Sequence, residues 1–309
     1  MQTKTLNHNY DIKIPKNDAF QIQTSNDFIK LHGIILAIAK RGTGKTTALS
    51  NLLRLMKEDN ALDRLILVSP TYHNNKHYFK GLPLDEENDV LEPHISVPEQ
   101  IEAILNQEGE DYDEYHEKMK KYKQLMKMLN NQNMPIFDIP PELLLEFDNF
   151  EPPTHKYNGK KPTVVCMFDD CQGTDLFKPR SKLSNLAIKH RHLGKLKDGA
   201  LGCTLMFATQ NYSSNSAGIN KAIRGNLTHM LVFRNKNLKE LEQIADEVSG
   251  EINKDLFLQL HHEATKENPH DFLFVDLHKK DKHPSMFRSN FNKFLIPKEK
   301  PDEKINILI

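Results

Sequence analysis

The feature that most limits what this chain can fold into is the run Ala39-Lys40-Arg41-Gly42-Thr43-Gly44-Lys45-Thr46. An apolar stretch, Ile34-Ile35-Leu36-Ala37-Ile38, leads into it, and Thr47-Ala48-Leu49-Ser50-Asn51-Leu52-Leu53 reads as a helix leading out. A strand, a glycine-rich loop ending Gly-Lys-Thr, then a helix is the arrangement of a phosphate-binding P-loop. Gly42 and Gly44 let the backbone curl so that successive N–H groups point inward at phosphate oxygens. The helix adds its positive N-terminal end. Lys45 is expected to reach the β- and γ-phosphates, and the Thr46 hydroxyl to bind Mg²⁺. The expected nucleotide cradle is therefore Ala39, Lys40, Arg41, Gly42, Thr43, Gly44, Lys45, Thr46 and Thr47. Ala39 stands where the first glycine of the motif usually sits, so the backbone there must tolerate a Cβ.

A P-loop calls for a second, acidic strand. Val164-Val165-Cys166-Met167-Phe168 runs into Asp169-Asp170. A continuous apolar run of this length reads as a strand buried on both faces of a parallel sheet. Asp169, at its C-terminal end, is expected to hold Mg²⁺ directly or through water. Asp170 is then placed to orient or deprotonate the attacking water.

Further strands read at Arg64–Ser69, Cys203–Ala208, His229–Phe233 and Phe272–Asp276, with a possible one at Phe20–Gln23 in the polar N-terminus. Strands alternating with helices imply a mostly parallel sheet with right-handed crossovers. The expected fold is α/β: a P-loop NTPase of the RecA-like (ASCE) division, its sheet flanked by helices, with a helical acidic insertion between the second and third strands. In that division the strand after the acidic one, here Cys203–Ala208, lies between the first and third. Gln210 at its end would then sense the γ-phosphate or help place water. The expected organisation is an N-terminal extension over residues 1–30, an ATPase domain over 31–296 with its insertion at about 83–155, and a tail over 297–309.

Charge is balanced overall, 42 Lys+Arg against 42 Asp+Glu, so no global field announces a polyanionic partner. Its distribution is uneven. Asp85 to Glu151 carries roughly a dozen net negative charges. Within it, Pro98–Asn106 and Tyr112–Asn131 read as two helices, the second with a stripe of Tyr115, Met119, Tyr122, Met126 and Leu129. The segment Lys178 to Lys197 is basic. Three cysteines, Cys166, Cys171 and Cys203, fall in or beside expected core strands, which suits a reducing compartment rather than a disulfide framework. The closest histidine pairs, His73/His77 and His190/His192, lack companions at zinc spacing and are expected to be solvated or phosphate-facing. No signal peptide and no bilayer-length apolar run is read.

An ordered set of segments resembles one family. The set is the P-loop, then Val68-Ser69-Pro70-Thr71-Tyr72, Phe168-Asp169-Asp170, Lys189-His190-Arg191-His192-Leu193-Gly194, Ala208-Thr209-Gln210-Asn211-Tyr212 and Ile223-Arg224-Gly225-Asn226. Together these resemble the packaging ATPases of large DNA viruses, virophages and virus-like transposons. That group belongs to the FtsK–HerA superfamily and includes the poxvirus-type enzyme. The likeness covers roughly residues 30 to 250. The departure is Asp170, where cellular members of the superfamily carry Glu.

The resemblance implies a homo-oligomeric ring that couples ATP hydrolysis to pulling double-stranded DNA into a preformed capsid. Its partners would be DNA, sister subunits and capsid or vertex proteins. Its place would be the host cytoplasm or viral factory, and the virion. Such a ring needs an arginine from one subunit at the γ-phosphate of the next, where a cation stabilises charge developing in the transition state. Arg224 and Arg191 are the two candidates the resemblance points to. The basic segment, with Lys195 and Lys197 flanking the loop Gly194–Gly199, would offer sequence-independent phosphate contacts. Two other readings stay open: a helicase- or terminase-like DNA motor, to which Ser69-Pro70-Thr71 has a weak likeness, and a small-molecule kinase or nucleotide switch with the insertion as its lid.

Overall fold

The structure is a computed structural model; it describes residues 29–131, 135, 138–147, 150–178, 180–213, 218–248, 253–279 and 281–297. The expected strand at Phe20–Gln23 and residues 298–309 of the expected tail lie outside the described residues. The elements in chain order begin β1 (Ile34–Ile38), α1 (Lys45–Glu58), β2 (Arg64–Val68), α2 (Tyr72–Asn75), β3 (Val90–Leu91) and α3 (Val97–Leu129). They continue with α4 (Pro141–Leu145), β4 (Val164–Asp169), α5 (Leu183–Lys189), β5 (Lys195–Leu196), β6 (Gly199–Ala200), β7 (Cys203–Thr209), α6 (Lys221–Arg224) and β8 (His229–Phe233). Last come α7 (Leu238–Val248), α8 (Lys254–Thr265), β9 (Phe272–Asp276), β10 (Phe287–Ser289) and β11 (Lys293–Phe294).

The main sheet runs β11-β10-β9-β8-β1-β7-β4-β2-β3. From β8 to β3 every pairing is parallel, whereas β9, β10 and β11 alternate in direction. Every residue of β1, β4, β7 and β8 is buried, as strands covered on both faces require. One face packs on the start of α3 and on α5 to α8, through residues such as Ile101, Leu186, Ile223, Ile244 and Phe257. The other packs on α1 and α2, through Leu49, Leu52, Leu53, Met56 and Tyr72. β7 lies between β1 and β4, with Ile38 opposite Thr209 and Asp169 opposite Ala208. This is the strand order of the P-loop division expected from the sequence, and it gathers the C-terminal ends of β1, β4 and β7 at one edge.

The acidic region departs from its reading in two ways. The two expected helices are one, α3, because nothing between them breaks a helix. Gly109 sits inside it for a packing reason: a Cβ there would come 2.7 Å from the Lys195 carbonyl oxygen, so only glycine lets α3 lie against the β5–β6 hairpin. The half of α3 around Ile101 and Leu105 belongs to the main core, while Leu125 in the far half packs with Ile139, Leu143 and Phe147. The stripe from Tyr115 to Leu129 is half-buried. The second departure is electrostatic. Glu99 pairs with Lys182 at 2.9 Å, Glu117 pairs with Lys197, and Asp113 Oδ2 accepts the Lys197 backbone N–H at 2.8 Å. The acidic helix thus lies on the basic segment, and the loop between Gly194 and Gly199 is a hairpin turn held against it.

Cys166, Cys171 and Cys203 are free and buried. His190 is buried as well, neither solvated nor phosphate-facing: its Nε2 donates to the His32 carbonyl at 2.8 Å. No helix among the described residues is long and apolar enough to cross a membrane.

Candidate nucleotide site

The loop between β1 and α1 needs its two glycines where the backbone turns left-handed: φ is +78° at Gly42 and +98° at Gly44. A Cβ at Gly42 would meet nothing within 4 Å, so conformation and not crowding demands glycine there. Ala39 behaves differently. Its backbone N–H still donates to the Thr209 carbonyl at 3.0 Å, continuing the sheet ladder, so it keeps an ordinary conformation and carries a Cβ without strain. The loop is braced from both sides. Thr43 Oγ1 donates to the Lys40 carbonyl at 2.7 Å, Lys40 Nζ to Asn211 Oδ1 at 3.1 Å, and His270 Nδ1 to the Thr43 carbonyl at 3.0 Å. Arg41 is exposed on the loop, and Thr47 is exposed in the first turn of α1.

Lys45 points back into this loop, where Nζ donates to the Ala39 carbonyl at 2.9 Å and the Lys40 carbonyl at 3.4 Å. Burial lowers its pKa, and the charges of Asp170 and Asp169 act to pull it back up. Thr46 Oγ1 donates to Asp169 Oδ1 at 3.0 Å and sits 3.2 Å from Oδ2, joining residues 123 positions apart in the chain. Burial pushes the Asp169 carboxyl up to about 6, against the stabilising Thr46 hydrogen bond. A hydroxyl and a carboxylate side by side in a dry setting are the oxygen donors a hard divalent cation takes, so the residues present fit Mg²⁺.

Asp170 has φ +56°, rare for a residue with a Cβ, at the sharp turn that follows β4. Gln210 Nε2 donates to Asp170 Oδ1 at 3.3 Å. Gln210 is fixed in turn, since its backbone N–H donates to Gln172 Oε1, and Gln172 Nε2 donates to the Asn211 carbonyl at 3.2 Å. Lys45, Thr46, Asp169, Asp170 and Gln210 therefore meet in one cleft of about 800 Å³.

The arginines lie elsewhere. Arg224 Nε donates to Glu247 Oε2 at 2.9 Å and Nη1 to the Ile219 carbonyl at 2.5 Å, and its guanidinium lies 5.1 Å from the Tyr212 ring centre. Tyr212 OH donates to the same Glu247 oxygen at 2.7 Å. Arg224 is thus held one step from Gln210, through a tyrosine two residues further along, and does not line the cleft. Arg191 is exposed in a single 3₁₀ turn, His190–His192, at the opposite edge of the sheet, beside the start of β1.

The cleft has walls that sequence reasoning missed. On one side stand Thr71, Asn74 and Tyr78; on the other stand His270, Asn290 and Phe291. The second wall flanks β9 and β10; β9 reads as a strand from the sequence, but β10, three residues long, has no periodicity long enough to read. Its nearness to the P-loop exists only because β8 and β9 pair antiparallel. A distant signal was Thr71, inside a segment already singled out.

No family model matches the chain, and no curated protein does. Among solved structures, the chain is similar to the genome packaging NTPase B204 from Sulfolobus turreted icosahedral virus 2 in complex with AMPPCP. The TM-score is 0.42 at 10% identity, over 81% of this chain and 94% of that one. It is similar to the pCW3 conjugation coupling protein TcpA, with TM-score 0.40 and 17% identity over 85% of this chain and 67% of that one. It is also similar to the cytoplasmic domain of the Thermomonospora curvata type VII secretion ATPase EccC, with TM-score 0.38 and 14% identity, over 79% of this chain but 24% of that one. At these scores the likeness decides nothing about the site, which stands on its own geometry.

Proposed function

We propose that this chain is an ATP-driven translocase of double-stranded DNA, working as a homo-oligomeric ring that packages a viral genome into a preformed capsid. The observation that carries the ATPase reading is the contact of Thr46 with Asp169, next to Lys45 and to the Asp170–Gln210 pair. The packaging reading adds the ordered motif set through Thr209-Gln210 and Ile223-Arg224, and with it the capsid or vertex partners and a place in the host cytoplasm, viral factory or virion.

In this reading the loop N–H groups from Arg41 to Thr47 and Lys45 bind the phosphates of ATP. Thr46 and Asp169 hold Mg²⁺, which when bound neutralises charge on the β- and γ-phosphate oxygens. Asp170, aimed by its left-handed backbone and by Gln210, orients the attacking water and accepts its proton. Gln210 reports the presence of the γ-phosphate. Arg224 serves the neighbouring subunit's site once it leaves Glu247.

The test is ATP turnover by the full chain with and without double-stranded DNA. Strong stimulation supports a DNA motor. Turnover indifferent to DNA, with phosphate transferred to a small molecule, sinks it in favour of a kinase.

A further inference from the structure

Four segments converge at the edge of the sheet opposite the P-loop. Lys30 and His32 precede β1, Lys161 precedes β4, Arg191 lies in the turn at His190–His192, and His278 follows β9. The contacts that bring them together are specific. His190 Nε2 donates to the His32 carbonyl at 2.8 Å, the Thr228 N–H to the Ile34 carbonyl at 2.9 Å, and the Leu277 N–H to the Thr228 carbonyl at 2.9 Å. The His32 ring fills the space over Gly202, where a Cβ would lie 2.8 Å from it.

The side chains exposed at this edge are mostly cationic; the Asp276 carboxylate, which accepts the His278 backbone N–H at 3.1 Å, is buried. His32 is buried, and neither of its ring nitrogens has a hydrogen-bond partner among the described residues. Burial first, then the charges of Lys161, His190 and Arg191, hold its pKa down to about 3. Burial and then the charges of Lys30 and Arg191 lower that of His278. The leading charges acting on both rings are all cationic. Lys30, Arg191 and His278 are exposed and Lys161 is half-buried.

The contrast with other lysines is what gives this edge its meaning. Lys160 pairs with Asp63 at 3.0 Å, Lys182 with Glu99 at 2.9 Å, Lys178 with Asp175, and Lys197 with Glu117. Three cations of the basic segment read from the sequence, Lys178, Lys182 and Lys197, are thus paired within the chain. Lys30, Lys161 and Arg191 have no ion pair among the described residues. Cations gathered without ion pairs among the described residues repel one another, and an extended polyanion relieves that repulsion by taking the place of condensed small ions.

We propose that the edge of the sheet around Lys30, Lys161, Arg191 and His278 is the surface that holds the phosphate backbone of double-stranded DNA. This rests on the DNA-motor reading and moves the contact away from Lys195 and Lys197. The lysines and the arginine bind phosphates as point charges and His278 as a hydrogen-bond donor, so the contact is independent of sequence.

The experiment measures affinity for a short blunt duplex between about 50 and 200 mM salt. It uses the full chain, a Lys30→Gln/Lys161→Gln variant and a Lys195→Gln/Lys197→Gln variant. Wild-type thermal unfolding checks that each is folded. The first variant should flatten the log–log salt slope by roughly two, adding Arg191→Gln should bring this to roughly three, and the second variant should keep the wild-type slope. Lys30→Arg/Lys161→Arg should restore binding. A folded Lys30→Gln/Lys161→Gln variant with the wild-type slope overturns the assignment and leaves the motor reading intact. A wild-type chain that hydrolyses ATP yet binds no duplex at low salt overturns both.

Discussion

The two edges of one sheet hold charge in opposite ways. At the P-loop edge, cation and carboxylates are interleaved: Lys45 lies among Asp169, Asp170 and two backbone carbonyls, and Thr46 and Gln210 each hold an aspartate. At the other edge, Lys30, Lys161 and Arg191 gather around a buried neutral histidine and have no ion pair among the described residues. The first arrangement suits a compact polyanion with a metal, where each group must be aimed before the ligand arrives. The second suits a long polyanion that slides, where net charge matters more than aim. The edges are separated by the length of β1, five residues or about 16 Å. β7, seven residues long, runs between the same two edges. It starts next to Gly202, under the His32 ring, and ends at Thr209, just before Gln210, so one strand touches both edges.

The largest effect expected at the P-loop edge is on catalysis supplied by a neighbour. Arg224→Ala should slow ATP turnover about a thousandfold while Mg-ATP still binds. Mixed with Lys45→Ala subunits, which lose the phosphate-binding cation, it should recover measurable activity, since each subunit supplies what the other lacks. Mixed-ring turnover no higher than that of the two pure variants would end the case for catalysis in trans. Next in size, Asp170→Asn should hydrolyse about a hundredfold more slowly with unchanged nucleotide affinity. Wild-type turnover in that variant would move the base elsewhere and leave Gln210 holding a carboxylate of no catalytic use.

The smallest effect probes the opposite edge through pH. His32 has an ordinary value of 6.5 and a folded value of about 3, so on acidification the unfolded chain takes up its proton first. Its share of stability is complete above pH 6.5 and is lost as pH falls toward 3. Between pH 6.5 and about 5 the loss should be roughly 2 kcal/mol. His32→Leu should flatten that part of the stability profile, read by denaturant unfolding at several pH values. An unchanged acid slope would mean that burial, and with it the nearby cations, does not hold the His32 ring neutral.

How far the sequence could be read depended on how local each feature is. The turn at Gly42 and Gly44, the burial of β1 and β4, and the position of Asp169 at a strand end follow from neighbouring residues: glycine supplies positive φ, and an unbroken apolar run must be covered on both faces. Arg224 was found by its motif, but its hold on Glu247 joins residues 23 positions apart on different helices. The basic segment was legible as composition, but which of its lysines are paired was not. Lys197 meets Asp113 across 84 positions, and only the packing of α3 over Gly109 brings them together.

By itself, then, the sequence determined the P-loop, the acidic strand with its two aspartates, and a parallel sheet with Gln210 at the end of β7. Backbone conformation and the periodicity of burial are set within a few residues, so they survive without knowledge of the rest. The tertiary structure decided which cations pair with carboxylates within the chain, which wall closes the cleft opposite Tyr78, and that Arg224 is held by Glu247 beside Tyr212. A charge's worth depends on what stands within a few ångströms of it, and those neighbours come from distant parts of the chain.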